Sequence, residues 1–190
     1  MGVYEVIQNR RTIRRFEQTS LSIVQLRKYV DAARLAPSGA NLQPLKYVIV
    51  HSTEMVNRMF ERVRWAAYIA PDGTPELGER PTAYIAQIVN LEIKKSGYEL
   101  DAGAAMENIL LAAEEDGVGA CWMGAIDYAG ISEMLRLKEE EKLVSVVALG
   151  MKAEQPVEEA WQGDVKYYKD ENGTLHVPKR PLDEVILGEM

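Results

Sequence analysis

Ala33-Arg34-Leu35-Ala36-Pro37-Ser38-Gly39-Ala40-Asn41-Leu42-Gln43-Pro44 reads as the end of a helix running into a turn, with Ser38, Asn41 and Gln43 held between two prolines. Upstream lies Arg10-Arg11-Thr12-Ile13-Arg14-Arg15, a dense set of guanidinium donors in a chain of net charge −7. Guanidinium forks match phosphate geometry, and hydroxyls and amides read the edge of a ring or a polyol. Together the two segments point to a site for a phosphorylated, planar, polar cofactor. Each also has a plainer reading. Cations at the end of a short helix meet its dipole favourably, and prolines with small polar residues often do no more than stop a helix.

Outward from these segments the chain alternates irregularly between helical and strand patterns. Residues 3–9 predict a short helix that delivers the arginines. Ser22 and Gln25 fit a capping box, after which Leu26, Val30 and Ala33 share one helical face. Residues 46–50 and 82–90 predict strands, with a helix over 53–68 between them that carries Trp65 and Tyr68. A very apolar helix over 102–115 stops at Gly117, followed by a short strand at 120–123, a helix at 131–137 and a core strand at 143–149. The order lacks a regular βαβ rhythm, which favours an α+β fold with a mixed β-sheet flanked by helices. Asn172-Gly173, flanked by strand formers, predicts a β-hairpin over 165–177, read as an insertion in a single domain spanning 1–190.

Composition narrows the function classes. A chain of 190 residues suits one domain with a substantial core. Its acidic balance argues against a nucleic-acid partner. A single cysteine excludes an internal disulfide and suits a reducing compartment. No apolar run is long enough for a membrane span and the N-terminus lacks the pattern of a secretion signal, so a cytoplasmic location is expected. His51 and His176 are isolated in sequence, no metal-ligand spacing occurs, and no nucleophile–His–acid set is evident. The glycines of 117–124 fail the dinucleotide fingerprint, whose third glycine would be Trp122.

The pattern Arg-Arg-Thr-x-Arg-x-Phe, followed by Ala-Arg-x-Ala-Pro-Ser-x-x-Asn-x-Gln-Pro, resembles the FMN-dependent nitroreductase family. The resemblance continues at Asp101-Ala-Gly-Ala-Ala-Met-Glu-Asn, at Gly117-Val-Gly-Ala-Cys-Trp-Met-Gly and at Lys179-Arg-Pro-Leu-Asp-Glu-Val. It implies an FMN-binding fold in which Arg10, Arg11, Thr12 and Arg14 contact FMN, while Arg15 points away from it. It implies that Pro37, Ser38, Gly39, Asn41 and Gln43 reach the flavin of a neighbouring subunit, and that the backbone of Met123 and Gly124 approaches the ring. It implies further that Lys179 and Arg180 close over the phosphate and that Trp65 and Tyr68 border the substrate space. Two positions depart from the family: Gly39 replaces a frequent hydroxyl residue, and Leu45 replaces a frequent tryptophan.

By the same resemblance the chain is expected to be a homodimer with shared active sites, the 102–115 helix lying in its interface. The expected activity is FMN-dependent NAD(P)H oxidoreduction of nitroaromatic, quinone or related small electrophilic acceptors by a ping-pong mechanism. No protein side chain is expected to do the chemistry, which belongs to the cofactor. Enone reduction, dehalogenation or flavin fragmentation could run on the same scaffold, and an FMN-binding or ligand-sensing module without turnover is a reading from another class.

Overall fold

A computed structural model describes residues 2–190. Its centre is a four-stranded antiparallel sheet of β1 (Leu45–Val50), β2 (Ala83–Asn90), β3 (Val118–Met123) and β4 (Glu141–Met151), in the order β1-β2-β4-β3. β2 is buried along its whole length. Strand side chains alternate between faces, so Tyr84, Ala86 and Ile88 join one core cluster while Ala83 and Ile85 join the other. The edge strand β1 is only half-buried; the sequence reads as a buried strand here, because its short apolar, β-branched run does not distinguish an edge from a centre.

Helices α2 (Ile23–Arg34) and α4 (Tyr98–Glu115) cover one face of the sheet. Helices α3 (Thr53–Phe60) and α5 (Tyr128–Met134) pack on the other. The predicted capping box forms at α2: Ser22 Oγ accepts the Gln25 N–H at 3.2 Å and Gln25 Oε1 accepts the Ser22 N–H at 3.1 Å. The apolar character of α4 is explained largely within the chain. Ala105, Met106, Ile109 and Ala113 are fully enclosed, leaving Leu111 half-buried and Leu100 exposed. Among the described residues no helix is long and apolar enough to cross a membrane.

The predicted 53–68 helix is too long. It ends at Phe60, and residues 61–66 run irregularly into a short 3₁₀ turn, Ala67–Ile69. Trp65 and Tyr68 therefore do not share a helical face. The predicted hairpin exists as β6 (Tyr168–Lys169) against β7 (Leu175–Lys179), but its turn is not centred on Asn172-Gly173. Gly173 donates to the Asp170 carbonyl at 3.0 Å, which centres the turn on Glu171 and Asn172, and Gly173 takes φ 79° at its exit. Asp170 Oδ1 accepts the N–H groups of Asn172 and Thr174, at 3.0 and 2.7 Å. A third strand, β5 (Val157–Ala160), pairs in parallel with β7. The parallel strand pairing thus lies in this second, smaller sheet.

The short helix α1 (Val3–Asn9) delivers the arginine segment as predicted. Residues 12–17 then run beside β3 and β4, with the Ile13 N–H donating to Ala120 O and the Glu17 N–H to Met151 O, both at 2.9 Å. Gly119 and Gly150 face each other across β3 and β4. A Cβ on Gly119 would lie 2.7 Å from Ile13 Cγ2, and one on Gly150 would lie 2.9 Å from Phe16 Cδ1. The paired glycines let the segment lie down on the sheet.

Candidate active site

Threading the arginine segment over the sheet separates its guanidinium groups. Arg14 enters a cavity of about 700 Å³, whose wall includes Trp65, Trp122, Met123, Gly124 and Tyr167. Its guanidinium carbon stands 4.8 Å from the centre of the Tyr167 ring. Arg11 pairs with Glu158 and faces a different cleft of about 900 Å³, shared with Lys152, Glu114 and Glu154. Arg10 lies 3.5 Å from Glu107 on α4. Arg15 pairs with Glu79, away from the Arg14 cavity, as alternation along an extended segment requires. Thr12 forms a backbone bridge to Ala120. In one chain, therefore, the cluster does not converge on a single anion. The carboxylate of Glu154 accepts the backbone N–H groups of Arg14 and Arg15, fixing the segment at this bend.

The backbone of Met123 and Gly124 lies in the same wall as Arg14, and a Cβ on Gly124 would meet nothing within 4 Å. The backbone here is open to a ligand. The Gly124 carbonyl is held by the Tyr128 hydroxyl at 3.0 Å. Trp65 lines the cavity, while its Nε1–H is buried and has no hydrogen-bond partner among the described residues. Tyr68 meets the cavity through its neighbour, its ring lying 5.1 Å from that of Tyr167. Cys121 lies in the floor, 5% exposed, and burial pushes its thiol up to about 11. It is a protonated wall residue at neutral pH, not a nucleophile.

Ser38–Gln43 sits elsewhere on the chain. Pro37, Ser38, Gln43 and Leu45 border a small cavity of about 160 Å³ together with Asp101. The turn is tightly wound: Ala40, Asn41 and Gln43 have φ values of 53°, 54° and 50°. Ser38 Oγ accepts the Gln43 N–H at 2.9 Å, and Asp101 Oδ1 accepts the Gly39 N–H at 3.0 Å. Lys179 ends β7, its carbonyl accepting the Trp161 N–H at 2.9 Å. Arg180 stacks 4.7 Å over the Trp161 ring and pairs with Glu184. Both residues find these partners inside the C-terminal segment.

Of the residues picked out in the sequence, the structure brings Arg14, Met123, Gly124 and Trp65 into one cavity. It sets the Ser38–Gln43 turn apart from them. Tyr167, Arg64 and Asp101 escaped sequence reasoning, since their partners come from distant elements. His176, isolated in sequence, is bracketed in space: Nδ1 lies 3.1 Å from Glu159 Oε2 and Nε2 3.4 Å from Asp170 Oδ2, with the Tyr168 ring stacked 5.0 Å away.

Comparison with known proteins agrees with this architecture. A protein of Archaeoglobus fulgidus named for NADH dehydrogenase/NAD(P)H nitroreductase activity is 32% identical over 155 residues, covering 77% of this chain and 83% of its own. The crystal structure of a nitroreductase family protein from Clostridium novyi NT superposes with a TM-score of 0.68 at 31% identity, over 80% of this chain and 86% of the other. A Desulfovibrio desulfuricans structure solved in complex with FMN superposes with a TM-score of 0.74 at 24% identity, over 100% and 98% of the two chains, and shares the fold. The Nitroreductase family model matches residues 7–151, from α1 to the end of β4 and so the whole central sheet. The chain belongs to the nitroreductase family.

Proposed function

We propose that the protein is an FMN-dependent NAD(P)H oxidoreductase that reduces nitroaromatic, quinone or related small electrophilic acceptors by a ping-pong mechanism. The observation that carries this reading is the cavity shared by Arg14 and the Met123–Gly124 backbone, with Trp65, Trp122 and Tyr167 in its wall. A cation, an open stretch of main chain and aromatic faces suit a planar, anionic group. FMN, when bound, supplies hydride exchange at N5. The chain supplies the setting: Arg14 offers a fixed positive charge, and the lack of a side chain at Gly124 lets the ligand approach the backbone closely. The aromatic wall of Trp65, Trp122 and Tyr167 offers flat faces to a nicotinamide or an aromatic acceptor. No titrating side chain need enter the reaction, which accords with the protonated Cys121.

The active unit in this reading is a homodimer. The Arg14 cavity and the Ser38–Gln43 turn are separate in one chain, so a second copy completes each site by presenting its turn. The purified protein should be yellow and should release FMN, not FAD, identified by mass spectrometry. Anaerobic NADH or NADPH should bleach the bound flavin, and nitroaromatics or quinones should restore its colour. A flavin that no nicotinamide reduces would make the protein a binding module instead.

A further inference from the structure

We propose that Asp101, together with Lys94, is a positioning residue for FMN: it locks the Ser38–Gln43 turn in the conformation that presents Asn41 and Gln43 to the cofactor. The inference rests on the reading of this turn as a flavin contact. Asp101 lies in the first turn of α4 and is 5% exposed. A buried carboxylate is costly unless each oxygen is matched. Both are matched here, in different directions. Oδ1 accepts the Gly39 N–H at 3.0 Å, and Oδ2 accepts from Lys94 Nζ at 2.7 Å. Although burial works to raise it, the Asp101 carboxyl is held below its ordinary value by the ammonium of Lys94 and the N–H of Gly39. The charge is therefore present throughout the neutral range.

The turn needs such a lock. Three of its residues other than glycine adopt the left-handed conformation, which L-residues avoid at roughly 1 kcal/mol or more each. Its other hydrogen bonds are internal: Ser38 Oγ and Ser38 O accept the N–H groups of Gln43 and Asn41, Gly39 O accepts the Leu42 N–H, and Asn41 O accepts from Gln43 Nε2. The Asn90 N–H donates to Pro44 O, which holds only the exit of the turn. Packing behind it is incomplete, since Leu45 borders the 160 Å³ cavity. The Gly39–Asp101 bond ties the turn to α4. A Cβ at residue 39 would stand 2.9 Å from Lys94 Nζ, so a side chain there would have to displace the ammonium from Asp101. Gly39, Lys94 and Asp101 form one unit.

Removing the carboxylate frees Gly39 and also strands the Lys94 ammonium, so stability and cofactor binding must be separated. Asp101→Ala and Asp101→Ala/Lys94→Met are titrated as apo-proteins with FMN by flavin fluorescence, with melting temperatures measured alongside. The single variant should lose both stability and affinity. The double variant should regain stability, because the stranded charge is gone, yet still bind FMN about tenfold more weakly, a difference of about 1.4 kcal/mol. Affinity that recovers together with melting temperature would reduce Asp101 to a structural role and overturn the proposal. Should the alanine variants not fold, Asp101→Leu/Lys94→Met decides, being close in volume to the native pair and without an acceptor for the Gly39 N–H: binding about fivefold weaker in a folded protein is expected, and wild-type affinity overturns it. Asn41→Ala/Gln43→Ala is titrated in parallel. Unchanged affinity there refutes the turn–flavin contact itself and the role of Asp101 with it, whereas a loss there without one in the Asp101 variants refutes the positioning role alone.

Discussion

Arg14 and Cys121 share a cavity wall and differ in what the surroundings do to them. Arg14 is a permanent cation resting on the Tyr167 ring. Arg14→Glu removes a charge-assisted contact and adds a repulsive one, so apo-protein titration should show FMN binding weaker by about 2–4 kcal/mol with the fold intact. Unchanged affinity would leave Arg14 as a surface charge only. Cys121 is buried, and its thiol is raised to about 11, so the reactive thiolate is scarce at pH 7 and accumulates only as the pH approaches that value. Alkylation of native protein should be slow at pH 7–8, and Cys121→Ser should keep its turnover; loss of activity with flavin still bound would demand a role for the thiol. Leu45 leaves room behind the Ser38–Gln43 turn. Leu45→Trp should fill it and raise stability by about 0.5–2 kcal/mol, read as a higher melting temperature. At this scale the sequence is informative about residue types and poor about partners. Nothing local to Arg10, Arg11 or Arg15 announces that Glu107, Glu158 and Glu79 will claim them, since each partner is brought in by the fold.

The placement of Arg14 is a property of elements. Its segment is held against the sheet by Ile13 and Phe16, each seated where β3 or β4 carries a glycine. Phe16 is fully buried, so a methyl group on Gly150 must push it away. Gly150→Ala should cost about 1–3 kcal/mol, visible as a lower denaturation midpoint at unchanged slope, and should weaken FMN binding by displacing the arginine behind it. A stable variant with normal binding would show that the segment finds its place without the paired glycines. Elements written in local sequence were legible. The Ser22–Gln25 cap fixes the start of α2, and the apolar run over 82–90 marks β2 as a strand. The elements that escaped are set by distant pairing. Val157–Ala160 carries two glutamates and looks like loop, yet becomes a parallel strand because β7 lies alongside it. The overlong 53–68 helix has the complementary cause: helical spacing persists after Phe60, but the Arg64 N–H is taken by the Ala125 carbonyl, and the Val63–Ile126 bridge draws the backbone towards the end of β3.

At the scale of the molecule, the proposed site residues of one chain fall into two groups with different surroundings. Arg14, Met123 and Gly124 gather at one cavity, and Ser38, Asn41 and Gln43 stand on a separate turn anchored to α4. Exposed apolar residues accompany this division: Val3, Tyr4 and Ile7 on α1, Leu42 in the turn, and Leu100 on α4. The proposed homodimer brings the turn of one copy to the cavity of the other. A flavin touching both chains stabilises their association by mass action, so FMN should lower the dimer dissociation constant measured by sedimentation. Complementation tests the arrangement directly. Arg14→Glu protein retains an intact turn, and Asn41→Ala/Gln43→Ala protein retains an intact cavity. Either homodimer should bind FMN weakly. In the heterodimer one site pairs the intact cavity with the intact turn, and the other collects both defects. With random subunit exchange half of the dimers are heterodimers, so the mixture should recover about a quarter of the sites of the wild-type protein, with NAD(P)H-driven activity in proportion. Recovery requires the turn to act across the interface, because a turn serving its own chain's cavity would leave every site in the mixture defective. Demonstrated heterodimers without recovered binding, or a fully active monomer at assay concentration, would refute the shared site.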